Sequence, residues 1–168
     1  MRIACLFMLV AACNGPSPAP VQQKPMNAED LVRGNRDAIR LEDRDINLYI
    51  ERYALDPQRS GTGVRHQLLR DEPGAAVKPG QWALVRYRME LLNGDTAYTS
   101  DPSGPEGFLV EEDNVESGLH EAIQHLSPGD SAIIIIPSYR AHGLIGDMDR
   151  VPPRSTVVYR IGMAGIRE

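Results

Sequence analysis

The chain has 168 residues, of which 42% are hydrophobic and 24% are charged, and its formal net charge at pH 7 is −5. This composition is typical of one ordinary globular domain, and it argues against a disordered tail or a polytopic membrane protein. The acidic balance, with no clustered basic surface, argues against nucleic acid as a partner, because phosphate binding needs such a surface.

The first residues predict a lipoprotein signal peptide. Arg2 precedes an apolar run, residues 3–12, which is too short to span a bilayer and has the length of a signal-peptide core. The run ends in Val10-Ala11-Ala12-Cys13, which resembles a bacterial lipobox, in which the cysteine is acylated and becomes the mature N-terminus. We therefore expect residues 1–12 to be removed and Cys13 to carry the lipid. A plain secretory signal cut after another small residue is the alternative.

A tether is expected to follow the lipid anchor. Residues 13–26 are rich in Pro, Ser, Ala and Gln, and this composition buries too little apolar surface to fold. Asn14, rather than an aspartate, follows the cysteine. By resemblance to lipoprotein sorting rules, this favours the outer membrane facing the periplasm, with the inner membrane as the alternative destination.

Residues 27–60 are predicted to form an N-terminal helical segment. Asn27 is a candidate N-cap with acidic residues behind it, Gly34 is expected to break or weaken the helix, and Pro57 is expected to end it. Four residues recur at the i, i+3, i+4, i+7 spacing of an amphipathic helix: Ile46, Tyr49, Ile50 and Tyr53. This stripe predicts packing on the following domain or on a partner subunit.

From Gly61 onward the pattern becomes extended, and residues 61–168 are predicted to form one α+β domain. Asn93-Gly94 predicts a hairpin, and Asn114 is a candidate cap for a short helix that Ser127-Pro128-Gly129 closes. Apolar or alternating runs predict strands at residues 64–69, 82–92, 96–98, 131–136 and 156–161.

One run resembles a known enzyme family. A buried strand of isoleucines ends at Pro137, Ala141-His142-Gly143 follows in a polar loop, and Pro152-Pro153 reopens an extended segment after Val151. This order resembles the substrate-pocket rim of FKBP-type peptidyl-prolyl isomerases, with His142 in place of the usual tyrosine. The resemblance covers about residues 61–166. It implies a twisted antiparallel sheet wrapped around one short helix, here preceded by the N-terminal helix.

The resemblance also implies roles for particular residues. The Glu116 N–H would bind the substrate carbonyl, and His142 would make a polar contact in the tyrosine's place. The pocket itself would be formed by Tyr87, Phe108, Val115, Leu119 and Tyr159. Further substrate contacts would come from Tyr98, Ile145 and Val151, the last at the rim. The family needs no cofactor and no metal.

Two departures from the family pattern concern the strand after the hairpin. Phenylalanine then aspartate are usual there, and this chain has Ala97 and Tyr98 instead. Because of its lipobox and its N-terminal helix, the chain is most similar to the gliding-motility-associated FKBP-type lipoproteins of bacteria related to Bacteroidetes. This resemblance does not imply a role in gliding. We therefore expect a peptidyl-prolyl cis-trans isomerase that assists the folding of proline-containing, unfolded or partly folded envelope proteins.

The sequence is also compatible with other functions. The retained fold with weakened catalysis would give a periplasmic chaperone or an envelope-assembly binding module, and a pocket closed by its own side chains would give a structural lipoprotein. His120 and His125 resemble a zinc-protease motif with one residue too many, so they lie roughly 140° apart on a helix and are predicted to be solvated. Gly129-Asp130-Ser131 is similar to a hydrolase block without a partner histidine.

Overall fold

The computed structural model describes residues 27–168; the predicted signal peptide, Cys13 and the tether lie outside the described residues. In chain order the elements are α1 (Ala28–Arg52), β1 (Gln58–Arg59), β2 (Arg65–Arg70), β3 (Trp82–Leu91), β4 (Thr96–Thr99), β5 (Glu106–Leu109), α2 (Ser117–Ile123), β6 (Ser131–Ile136), a 3₁₀ turn (Ser138–Arg140) and β7 (Val157–Arg167). Neither described helix combines the length and the apolar character needed to cross a bilayer.

All seven strands form one antiparallel sheet in the order β1-β2-β6-β7-β3-β4. The long strand β3 pairs with β7 along one edge, from Trp82 opposite Arg167 to Leu91 opposite Val157. Its other edge is shared, because β5 pairs with the first half of β3 and β4 with the second half. The predicted α+β class with an N-terminal helix is confirmed.

The isoleucine run of β6 is buried on both faces of the sheet. Ile134 and Ile136 belong to the main core, which α2 covers, whereas Ile133 and Ile135 face α1 on the opposite side. A strand covered on both faces has no need of alternating polar residues, so its sequence reads as a continuous apolar run. Residues 131–136 were predicted as this strand, and its bounds are confirmed.

Helix α2 lies close to the sheet because Gly118 has no side chain. A Cβ atom at this position would lie 2.3 Å from Cγ2 of Ile136 and 3.2 Å from Cγ2 of Val64. Only glycine permits this approach without displacing its neighbours. The close packing buries Leu119 and Ile123 against the sheet and brings the start of the helix next to the strands that carry the aromatic residues.

Helix α1 packs on the outer face through Ile46 and Tyr49, two members of the predicted stripe. The Asn27 cap is confirmed, since its Oδ1 accepts the Asp30 N–H at 2.8 Å. The expected break at Gly34 is wrong, because the helix continues unbroken to Arg52. A helix-interior glycine costs only about 1 kcal/mol relative to alanine, too little to interrupt a helix of 25 residues.

A carboxylate fastens α1 to the loop that follows β6. Glu42 accepts hydrogen bonds from the Ser138 N–H at 2.6 Å, the Ser138 hydroxyl at 3.0 Å and the Thr156 hydroxyl at 2.6 Å. Ser138 and Thr156 stand at the two ends of the loop 138–156, which carries His142 and Val151. The N-terminal helix therefore helps to fix the loop that borders the candidate site.

Candidate functional site

A cavity of about 440 Å³ opens beside the start of α2, between the sheet and the loop 138–156. Strands β3, β4 and β7 supply one wall, and the loop before α2 supplies another. Its lining residues are Tyr87, Met89, Tyr98, Asn114, Val115, Glu116, Ala141, His142 and Tyr159. Six of the ten residues predicted for the site thus meet at one cavity.

Two tyrosines on neighbouring strands form the aromatic wall. Tyr87 of β3 and Tyr159 of β7 have their ring centroids 5.6 Å apart at an angle of 57°. Burial, followed by the nearby Glu106 carboxylate, raises the pKa of Tyr87 to about 12. Burial also raises the pKa of Tyr159, with Glu116 as the second cause. Both phenols therefore stay neutral at physiological pH and present uncharged rings to the cavity.

Three predicted pocket residues lie in the core next to the cavity rather than on its lining. Phe108, Leu119 and Val151 are buried members of the main cluster. Ile145 is 67% exposed and also lies off the lining. The substrate contacts assigned to these four residues stay predictions, because none of the four lines the cavity.

His120 is a structural residue, and its predicted solvation is wrong. The residue is 6% exposed, its Nδ1 accepts the Glu111 N–H at 2.9 Å, and its Nε2 lies 2.9 Å from the Asp113 carbonyl oxygen. Because Nδ1 accepts, the Nε2–H donates to that carbonyl. The ring also packs edge-on against Phe108. These contacts order the loop that presents Val115 and Glu116. Helical periodicity alone had placed His120 on the helix surface.

Glu116 occupies the N-cap position of α2, two residues after the predicted cap Asn114. Its backbone N–H donates none of the hydrogen bonds found within residues 27–168, so it is free to bind a carbonyl at the cavity. The side chain is 9% exposed, and its Oε1 accepts the Tyr159 hydroxyl at 2.8 Å. Nε2 of His142 lies 2.9 Å from the same oxygen and makes no hydrogen bond within residues 27–168.

Tyr98 joins β4 to the loop opposite. Its hydroxyl donates to Oδ2 of Asp147 at 2.5 Å, while Oδ1 of Asp147 accepts the N–H groups of Asp149 and Val151. Burial alone would raise the pKa of Asp147, but these hydrogen bonds outweigh it and lower the pKa to about 2. A carboxylate therefore reaches this wall from the loop, although the strand has tyrosine where the family usually has aspartate.

Three lining residues were missed at the level of sequence. Met89 lies two positions after Tyr87 on β3, so strand alternation places both side chains on one face. Asn114 and Ala141 are chain neighbours of predicted residues. Only the Met89 signal was available from the pattern, because the other two depend on how the loops bend toward each other.

A larger groove, of about 670 Å³, runs between α1, the β3–β4 hairpin and the loop 138–156. None of the predicted site residues lines it, so volume alone does not identify the site. Asp130 of the hydrolase-like block is buried and accepts the N–H groups of Glu72 and Ser127, which makes it a turn-forming residue. Residues 27–168 contain no group of three or more His, Cys, Asp or Glu side chains placed to hold a metal ion.

The domain has an antiparallel sheet with a short helix on its inner face, and an aromatic-walled cavity at the start of that helix. These features define a domain of the prolyl isomerase class. Residues 74–164 match the profile of the family described as FKBP-type peptidyl-prolyl cis-trans isomerase. The chain belongs to this family and is an enzyme of the FKBP type.

Individual relatives agree with this assignment. FK506-binding protein 1 of Kluyveromyces lactis is 32% identical over 104 residues, which cover 60% of this chain and 91% of that protein. A probable FKBP-type 25 kDa peptidyl-prolyl cis-trans isomerase of Pseudomonas aeruginosa is 30% identical over 105 residues, covering 62% of this chain and 44% of that protein.

Solved structures show the same fold. A peptidyl-prolyl cis-trans isomerase from Pseudomonas syringae pv. tomato superposes with a TM-score of 0.68 at 22% identity, covering 79% of this chain and 96% of that one. FkpA from Escherichia coli superposes with a TM-score of 0.66 at 24% identity, covering 83% of this chain and 65% of that one. The predicted fold and family are confirmed, and the gliding-motility subgroup stays a prediction.

Proposed function

We propose that the protein accelerates cis-trans isomerisation of X-Pro bonds in unfolded or partly folded envelope proteins, by non-covalent stabilisation of the twisted amide. The observation that carries the proposal is the cavity in which Tyr87, Val115 and Tyr159 meet beside the free Glu116 N–H. Apolar surface for a proline ring and a donor for a carbonyl thus lie side by side.

The energy required is modest. Rotation about an X-Pro amide faces a barrier of about 20 kcal/mol and takes tens of seconds unaided. A ten-thousandfold acceleration needs about 5.5 kcal/mol of transition-state stabilisation. In the twisted transition state the amide loses its resonance, and the C–N unit becomes less polar than in the planar ground state. The faces of the Tyr87 and Tyr159 rings and the Val115 side chain give the rotating bond an apolar surface, which favours the twisted form.

Five of the cavity residues have a role in this mechanism. The rings of Tyr87 and Tyr159 and the Val115 side chain hold the pyrrolidine ring and exclude water from the rotating bond. The Glu116 N–H donates a hydrogen bond to one substrate carbonyl. This bond holds one side of the X-Pro amide in place while the other side rotates. His142 makes a polar contact at the rim. No bond to the protein forms at any stage, so no nucleophile is required.

The test compares two tyrosine-to-alanine variants in a protease-coupled proline-peptide assay. Tyr87→Ala removes a cavity wall and should lower kcat/KM at least tenfold, whereas Tyr53→Ala, an exposed tyrosine at the end of α1, should leave it unchanged. Circular dichroism measures the folded fraction of each variant. Equal kcat/KM in the well-folded Tyr87→Ala variant would contradict the proposal.

The alternative function is tested on the same samples. Suppression of client aggregation, measured by light scattering, without any acceleration of isomerisation would assign the protein to the chaperone or binding-module class. Acceleration that Tyr87→Ala abolishes assigns it to the enzyme, whether or not it also protects clients.

We further propose that Cys13 carries a lipid that tethers the domain to the envelope, at the outer membrane and facing the periplasm. The lipobox-like Val10-Ala11-Ala12-Cys13 and the following Asn14 support this location, and with the N-terminal helix they support membership of the gliding-motility-associated subgroup. Radiolabelled palmitate should label the wild-type protein but not Cys13→Ser. Unlabelled wild type, or wild type in the inner-membrane fraction, would contradict the proposal.

A further inference from the structure

The Glu116 side chain is an unusual component of a cavity that takes an apolar ring. It is only 9% exposed, yet it carries a carboxylate beside the aromatic wall. A buried charge is costly unless it is paired and hydrogen-bonded. The hydrogen-bond partners of this carboxylate therefore influence which ligand groups the cavity can accept.

One carboxylate oxygen is occupied and the other is open. Oε1 accepts the Tyr159 hydroxyl and is the oxygen that His142 approaches. Oε2 accepts no hydrogen bond within residues 27–168 and is not among their fully buried unpaired polar atoms, and the side chain that carries it lines the cavity. A ligand group with N–H donors would find an acceptor there.

Other charges around the cavity are mainly negative. Asp147 and Asp149 hold the Tyr98 hydroxyl at one side, and Glu106 acts on Tyr87 at another. Two basic groups lie nearby: His142, whose Nε2 is 2.9 Å from Oε1 of Glu116, and Arg150, which donates to the Ala97 carbonyl and stacks over Tyr98. The field at the cavity therefore favours a positive ligand group.

We propose that Glu116 makes the enzyme prefer substrates with a basic side chain, lysine or arginine, within one residue of the proline. The preference rests on the proposed isomerase function and adds its substrate class. An ammonium or guanidinium group can donate a charge-assisted hydrogen bond to Oε2, which a neutral side chain cannot match. An acidic side chain at the same place would be repelled by the Glu116 carboxylate.

The test uses peptides that differ only in lysine or its uncharged isostere norleucine, placed before or after the proline. For the wild type, kcat/KM should be about tenfold higher for lysine at one of these positions, and the ratio should fall in 0.5 M salt because the charge contact is screened. Glu116→Gln, which removes the charge and keeps the shape, should bring the ratio close to one. Glu112→Gln, which removes an exposed loop charge, should leave the ratio unchanged.

The outcomes separate this proposal from the function on which it rests. Turnover of norleucine peptides without a lysine preference in the wild type would overturn the preference and leave the isomerase intact. If no peptide is turned over, the same labelled pairs are measured by fluorescence anisotropy. Tighter lysine-peptide binding that Glu116→Gln abolishes supports the preference, and equal binding of both peptides overturns it. Because the wild-type ratio alone can overturn the proposal, it does not depend on the variant folding.

Discussion

Substitution of Tyr159 by phenylalanine tests how the cavity holds its carboxylate. The change removes the hydroxyl group, whose O–H donates to Oε1 of Glu116 at 2.8 Å, and leaves the ring that faces Tyr87. Tyr159 is 5% exposed, so water cannot fully replace the lost donor. Hydrogen bonds to charged groups contribute about 1.5–3 kcal/mol. We expect the free energy of unfolding at pH 7 to fall by about 2 kcal/mol.

The assay is urea unfolding followed by the fluorescence of Trp82, the only tryptophan of the chain. A double-mutant cycle isolates the contact, because Tyr159→Phe should cost much less when Glu116 is already glutamine. The matched control is Tyr53→Phe, which removes a hydroxyl from an exposed tyrosine at the C-cap of α1. If Tyr159→Phe costs the same free energy with glutamate and with glutamine at position 116, the hydroxyl does not stabilise the carboxylate and the reasoning is refuted.

Three further predictions concern the supports of the site. His120→Ala should lower the free energy of unfolding by about 2–4 kcal/mol, since it leaves a cavity beside Phe108 and removes the partner of two part-buried backbone groups; a loss below about 0.5 kcal/mol in urea unfolding would contradict this. Gly118→Ala should lower it by about 1–3 kcal/mol, because the new methyl group meets Ile136, and unchanged thermal unfolding would show that α2 lies further from the sheet. The pKa of Asp147 is lowered from 3.8 to about 2 in the folded state, so its stabilising contribution is complete above pH 3.8 and is lost as the pH falls to about 2. The stability difference between the wild type and Asp147→Asn should therefore shrink across that interval in acid titration, and a constant difference would refute the role of the carboxylate.

The parts of the fold that local pattern determines were predictable. The isoleucine run of β6 has to be buried on both faces, so its bounds followed from composition alone. Asn93-Gly94 specified the β3–β4 hairpin because Gly94 adopts a positive φ of 95° there. Tyr87 and the other predicted cavity residues came from the family resemblance rather than from local pattern.

The features that the sequence did not predict depend on contacts between residues that are distant in the chain. The strand β5 is only four residues long and exists because it pairs with the first half of β3. The burial of His120 depends on a loop that curls back over α2, which helical periodicity does not describe. The Glu116 carboxylate became a cavity feature only when β7 brought the Tyr159 hydroxyl to it. Side-chain chemistry between elements is set by tertiary packing rather than by local sequence.

The central claim is that the X-Pro bond turns in the cavity between Tyr87 and Tyr159, and two-dimensional exchange NMR tests it most directly. A peptide with a ¹³C-labelled proline, mixed with a catalytic amount of protein, should show cis-trans exchange peaks that disappear with folded Tyr87→Ala. In the reverse titration, the backbone amides of Val115 and Glu116 should shift most. Undiminished exchange peaks with Tyr87→Ala, or shifts confined to the groove along α1, would contradict the claim.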